Sequence, residues 1–74
     1  MTIILWHKPK LNHGHSNSWT IFKEDSKIFV DSHCGWVSEA YLNEENEVKL
    51  NPVNPIPAYV KTKLKSFLNK KRYI

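Results

Sequence analysis

The chain contains little cysteine, which cross-links many small proteins, and little glycine, which makes a backbone flexible. Only one of its 74 residues is cysteine and only two are glycine. A single cysteine, Cys34, leaves no internal disulfide to form, which is typical of reducing compartments and predicts a cytoplasmic protein. A chain of this length buries only about 60% of the surface that its unfolded form exposes. We therefore expect one small domain of marginal stability.

Long apolar runs are also missing. A short apolar run begins at Met1, but it stops at His7–Pro9, well short of the core of a signal peptide or of a membrane span. No membrane partner is therefore expected. Aromatic residues, in contrast, are plentiful at 12% of the chain. Their large buried area can offset the entropy lost on ordering, so this composition predicts a folded chain.

Acidic residues are absent from the last 22 positions, residues 53–74. That segment carries six basic side chains, whereas residues 1–52 carry five lysines and seven carboxylates. The first part thus has a net charge of −2 and the last part +6, which gives the total of +4. Such an asymmetry predicts a polyanionic or acidic partner.

Three segments rich in β-branched and aromatic residues predict strands, namely Thr2–His7, Ser18–Lys23 and Lys27–Val30. Pro9 has no backbone N–H to donate to a sheet, so it ends the first strand. Residues 24–26 separate the other two strands and suit the loop of a hairpin.

Residues 36–42 fit two patterns. Their alternation suits a strand, whereas Val37 and Tyr41 also share one face of a helix. The polar turn at 43–46 and the alternating residues 47–50 favour a strand and its return, so we expect a second hairpin.

The segment 58–72 predicts an amphipathic helix. Asn54 is expected to cap it, and Pro55 or Pro57 to occupy its first turn. Residues 51–57 then form a linker rich in proline and asparagine. Five apolar side chains follow one another at helical spacing and span about 120° of the helix: Ile56, Val60, Leu64, Phe67 and Leu68.

Together these elements predict an α+β fold in a single domain. A small antiparallel sheet of four or five strands, built from two hairpins in residues 1–50, packs against one C-terminal helix. The uncovered face and a free edge of the sheet make a homodimer plausible.

The helix also carries a basic ridge. Lys61, Lys65 and Arg72 fall within about 40° of one another on the opposite side from the apolar residues, and Lys70 and Lys71 lie near its end. This ridge can be a solvated face, or it can bind an acidic protein surface. It can also follow the phosphates of DNA or RNA with little sequence specificity. We take nucleic-acid binding as the main functional hypothesis.

Aromatic side chains can stack on exposed bases or grip a protein, although most are needed for the core of so small a domain. Trp19 and Trp36 border polar loops, so they are the candidates for stacking or for an interface. The small size, the aromatic content and the lack of catalytic motifs are also typical of phage or mobile-element inhibitors that bind and block a host protein. A protein-interaction module of this kind, acting through its sheet face or edge strand, is the alternative function.

Histidine and cysteine side chains give a weak zinc pattern. His13, His15, His33 and Cys34 are possible ligands, but they lack the paired spacing of structural zinc sites, and the polar stretch 12–18 is expected to be a solvated loop. No metal or other cofactor is therefore expected.

No sequence motif indicates an enzymatic activity. Cys34 could act as a nucleophile with His33 or His15 as base and Asp31 as orienting acid, and two histidines could support ribonuclease chemistry. Adjacent residues of a strand point to opposite faces, so His33 cannot easily serve Cys34. We expect a non-enzymatic protein.

Overall fold

The computed structural model describes residues 1–9, 18–32 and 35–72, with the exception of the side chains of residues 71 and 72. It confirms the predicted α+β fold, a five-stranded antiparallel sheet packed against one C-terminal helix. The strands follow one another in chain order, so each pairs with the next. The elements are β1 Thr2–Lys8, β2 Trp19–Glu24, β3 Lys27–Ser32, β4 Val37–Leu42, β5 Val48–Asn51 and α1 Ala58–Arg72.

The hairpin between β2 and β3 has a shorter loop than the sequence predicted. Glu24 belongs to β2 and pairs with Lys27, which leaves only Asp25 and Ser26 in the loop. Asp25 has a φ of 57°. Aspartate tolerates this left-handed conformation better than most residues, because its short polar side chain can hydrogen-bond locally.

The predicted second hairpin joins β4 and β5, and residues 37–42 form a strand rather than a helix. Asn43 organises the connecting turn, because its Oδ1 accepts hydrogen bonds from the backbone N–H groups of Glu45 at 3.0 Å and Glu47 at 2.9 Å. The Asn43 side chain thus supplies hydrogen-bond acceptors for two backbone N–H groups of the turn.

The core lies between the sheet and α1. Val60, Leu64 and Leu68 are spaced by one turn of the helix and are buried. On the sheet they face alternate buried residues of β2 to β5, which is the pattern of a sheet covered on one face. The buried apolar residues of the sheet are Trp19, Ile21, Ile28, Val30, Ala40, Val48 and Leu50.

The predicted cap of the helix is wrong. The Asn54 amide donates hydrogen bonds to Ser38 Oγ at 2.8 Å and to the Pro52 carbonyl at 3.4 Å, and α1 begins four residues later, at Ala58. Ser38 is 1% exposed, and its hydroxyl donates to the same Pro52 carbonyl at 2.7 Å. The buried Ser38 hydroxyl needs both a donor and an acceptor partner. Asn54 and Pro52 supply them, and these hydrogen bonds hold the linker against β4.

Replacing Ser38 should destabilise the fold. Ser38→Ala removes the hydroxyl that satisfies both Asn54 and Pro52, so we expect the free energy of unfolding to fall by about 1–3 kcal/mol. Urea denaturation followed by circular dichroism measures this loss. Ser66→Ala is the matched control, because Ser66 is exposed on α1, and alanine there should be neutral or slightly stabilising. Equal midpoints for the two variants would contradict the role given to Ser38.

The opposite face of the sheet has no helix on it among the described residues. We call this surface the open face. Residues that pair directly across strands share a face, and one such row contains Ile4, Phe22, Phe29 and Glu39. Within the ranges that the structure covers, no helix combines the length and the apolar character that crossing a membrane requires.

Candidate nucleic-acid interface

The outer surface of α1 is basic on both of its flanks. At 100° per residue, Lys61 and Lys65 lie on one side of the apolar stripe, and Lys63 and Lys70 lie on the other side. All four are exposed. The sequence analysis predicted the flank of Lys61 and Lys65 but did not include Lys63. The signal for it was already present, since Lys63 and Lys70 are seven residues apart and so lie almost in line along a helix.

Small polar residues separate the two flanks. Thr62 and Ser66 are exposed there, and the Thr62 hydroxyl donates to the Ala58 carbonyl at 3.0 Å. Around Thr62 and Ser66 the outward side of the helix is therefore low and bordered by long cationic side chains. Tyr59, which is 44% exposed, lies on this side near the start of the helix, and Asn69 lies on it near the end.

No described carboxylate forms an ion pair with these four lysines. The ion pair that the structure does give joins Lys27 and Glu39 at 3.9 Å, and it lies on the sheet. The helix itself contains no acidic residue. No acidic residue of the helix itself reduces its positive field, which leaves the lysines available to an anionic partner.

The turn between β4 and β5 places one carboxylate near this surface. The pKa of Glu47 is lowered, mainly by the hydrogen bond that Asn43 Nδ2 donates to it at 3.2 Å. The positive charge of Lys49 lowers it further, and that of Lys61 makes a smaller contribution. A carboxylate with a lowered pKa stabilises the fold above its ordinary pKa, and this contribution is lost as the pH falls through the lowered value.

We expect the pKa of Glu47 to rise when its main partner is changed. Asn43→Asp keeps the oxygen that accepts the turn hydrogen bonds, but it removes the N–H donor and adds a negative charge. Lys49→Gln removes only the second cause, so it should raise the pKa of Glu47 by less. Titration of the side-chain carboxyl signals by NMR measures both changes. A larger rise for Lys49→Gln would reverse the order of causes.

The two tryptophans proposed for stacking lie on the core side. Trp19 is 5% exposed, so its ring has no open face to offer. Trp36 is half-buried and packs edge-on against Trp19, with ring centroids 5.8 Å apart. The sequence placed these residues beside polar loops but could not show which face of the sheet they occupy. The open face presents different aromatic residues, Phe22 and Phe29.

The remaining candidate residues fall outside the part that the structure describes. This applies to His13, His15, His33 and Cys34, and to the side chains of Lys71 and Arg72. Among the described residues there is no group of three histidine, cysteine or carboxylate side chains that could hold a metal ion. The zinc site and the end of the basic ridge stay predictions.

A cavity of about 540 Å³ opens beside the end of β4, where Lys27, Glu39, Tyr41, Glu44 and Leu68 contribute to its wall. Neither a thiol, a histidine nor a serine belongs to this wall. The wall therefore lacks the pairs of serine or cysteine with histidine that many covalent enzymes use. The non-enzymatic expectation stays a prediction.

Comparison of the chain with protein-family models, with curated proteins and with solved structures found no match. Any functional proposal therefore depends on the surfaces of this molecule alone.

Proposed function

We propose that this protein binds nucleic acid through the outer surface of α1, without recognising a particular base sequence. The observation that carries this proposal is the set of four exposed lysines on two flanks of one helix, with no described carboxylate paired to them. Each lysine that contacts a phosphate releases condensed counterions, and this release supplies the affinity of non-specific binding.

The spacing of the lysines fits a phosphate backbone. Lys61 and Lys65 are one turn apart, about 6 Å along the helix axis, and two nucleotide steps of one strand rise about 6.8 Å. An α-helix with its side chains is about 10–12 Å across, which matches the width of about 12 Å of the major groove of DNA. Lysines on two flanks can therefore contact both strands of a duplex, whereas a single basic ridge would contact one.

Among the described side chains on the outward side of α1, Asn69 is the one amide and there is no arginine, which favours low specificity. The middle of the outer surface holds Thr62 and Ser66, and Thr62 already donates its hydroxyl proton to Ala58. Arginine and the amide side chains dominate direct base readout. Lysine flanks around short hydroxyl side chains favour contact with phosphates instead.

The experiment is fluorescence anisotropy with purified, nuclease-treated protein and labelled duplex or single-stranded DNA and RNA. If four lysines contact phosphates of a duplex, log K should fall with log salt with a slope of about −3.6. Binding should then weaken on the order of 100-fold between 50 and 200 mM salt. Single strands should give a shallower slope, about −2.8. A flat salt dependence, or no binding at low salt, would overturn the proposal.

The open face favours a second candidate function, binding to another protein. Phe22 and Phe29 stack on it with centroids 5.3 Å apart and ring planes at 15°. Three carboxylates, at Glu24, Asp31 and Glu39, outnumber Lys27 and Lys49 on the same face, as the strand registers and alternation place them. A face with this charge repels phosphates, so its apolar centre suits a protein surface better.

A further inference from the structure

We propose that the open face binds a second copy of this chain, so that two sheets pack face to face around a two-fold axis. The inference adds a partner to the second candidate function and does not depend on nucleic-acid binding. Its starting point is a row of exposed or half-buried apolar residues on a face that no described helix covers, and its main support is the charge pattern around that row.

The apolar row is continuous across β1, β2 and β3, and Glu39 interrupts it on β4. Ile4 is opposite Phe22, and Phe22 is opposite Phe29, so these three side chains adjoin on one face. Ile4 is 59% exposed. On β4, Val37 and Tyr41 are 43% and 44% exposed and lie on the same face. Burying such residues is the main source of affinity between proteins.

The charged residues of β3 are arranged so that a two-fold rotation brings opposite charges of the two copies together. Lys27, Phe29 and Asp31 follow one another at every second position, so they share a face with Phe29 in the middle. A two-fold axis that lies in the interface and crosses β3 at Phe29 brings Lys27 of each copy opposite Asp31 of the other. This gives two reciprocal ion pairs, as an isologous interface requires.

The same axis matches the residues of β4. Val37 and Tyr41 lie two positions on either side of Glu39, so the rotation brings each Val37 opposite the Tyr41 of the other copy. Glu39 pairs with Phe29, so it lies in the row that the two-fold axis follows and faces Glu39 of the other copy. The two negative charges repel each other. The contact of Glu39 with Lys27 of the same chain, at 3.9 Å, offsets part of this repulsion. A two-fold arrangement adds this like-charge contact to the cost of burying Glu39, so this residue gives the proposal a test.

The size of the face predicts a weak dimer. Five strands at a spacing of about 4.8 Å, each about 20 Å long, offer a footprint of about 400 Å² per copy. A standard stable interface buries about 800 Å² per partner. We therefore expect dissociation constants in the micromolar range or weaker, which sedimentation velocity resolves between about 1 µM and about 1 mM protein.

The first test compares two valine substitutions in nuclease-treated protein. Val37→Lys places a charge on the open face, whereas Val53→Lys places the same charge on a residue that is 89% exposed in the linker, outside the strands. Val37→Lys should raise the dissociation constant of the dimer by at least about tenfold, and Val53→Lys should leave it unchanged. Circular dichroism confirms that both variants are folded.

The second test is a charge exchange. Lys27→Glu or Asp31→Lys alone places like charges opposite each other across the axis, so each should weaken the dimer by about tenfold. The double variant restores opposite charges and should bring the dissociation constant back to within about threefold of the unmodified protein. Glu39→Gln should tighten the dimer.

A protein that is monomeric at about 1 mM would overturn the proposal and leave the open face to a different protein. A dimer that is insensitive to Val37→Lys and to the charge exchange would overturn it as well, because such a dimer would use a sheet edge such as β1. Weakening by the single charge changes without rescue by the double variant would refute the two-fold arrangement.

Discussion

A variant without the four exposed lysines of α1 should lose at least about 100-fold in affinity for duplex nucleic acid at low salt. The reason is counterion release, because each lost phosphate contact removes about 0.9 from the salt slope, and four contacts remove about 3.6. Glutamine is the replacement of choice, since its helix propensity is close to that of lysine. The substitutions are Lys61→Gln, Lys63→Gln, Lys65→Gln and Lys70→Gln.

The control for this variant carries the same charge change on the sheet. Four lysines outside α1 belong to the described strands, and their replacement also lowers the net charge from +4 to zero. If binding depends on the helix surface, this control should keep most of its affinity and salt dependence. Equal losses in the two variants would show that only the total charge matters. The control substitutions are Lys8→Gln, Lys23→Gln, Lys27→Gln and Lys49→Gln.

Truncating Leu64 should give the largest loss of stability. Leu64 is 0% exposed and lies in the middle of the stripe that packs α1 on the sheet. Leu→Ala at a buried site costs about 2–5 kcal/mol, because it removes apolar contact and leaves a cavity. A 74-residue domain has a total stability of about 4–11 kcal/mol. The variant should therefore lose a large fraction of its free energy of unfolding.

Urea denaturation followed at the helix signal measures this effect. Lys63→Ala is the matched control, since it is adjacent to Leu64 on the same helix but exposed, and its stability should change by less than about 0.5 kcal/mol. A Leu64→Ala midpoint within error of the control would mean that the stripe does not hold the helix on the sheet.

The strands and the helix could be predicted because their apolar residues repeat with the period of each element. Residues 36–42 fitted both periods, and pairing with β3 and β5 settled the strand. Asn54 was misassigned because the sequence does not show that Ser38 lies within 2.8 Å of its amide. Long-range partners of this kind override local capping preferences.

The surfaces were harder to predict than the fold. Trp19 and Ile21 alternate on the buried face of β2, so the position of Trp19 depends on which face α1 covers. The stacked pair of Phe22 and Phe29 depends on the register between two strands. The sequence contains every residue of these surfaces, but only the pairing of strands shows which of them meet.

The basic helix and the open face lie on opposite sides of one sheet, and this has a consequence for assembly. If two copies join through their open faces, their helices point outward in opposite directions, on the two outer layers of a four-layer particle. One straight duplex cannot contact both helices. If α1 also binds nucleic acid as proposed, the dimer would act as a cross-link between two nucleic-acid segments, whereas the monomer would only coat one of them. Bridging would therefore appear only at protein concentrations that support the dimer.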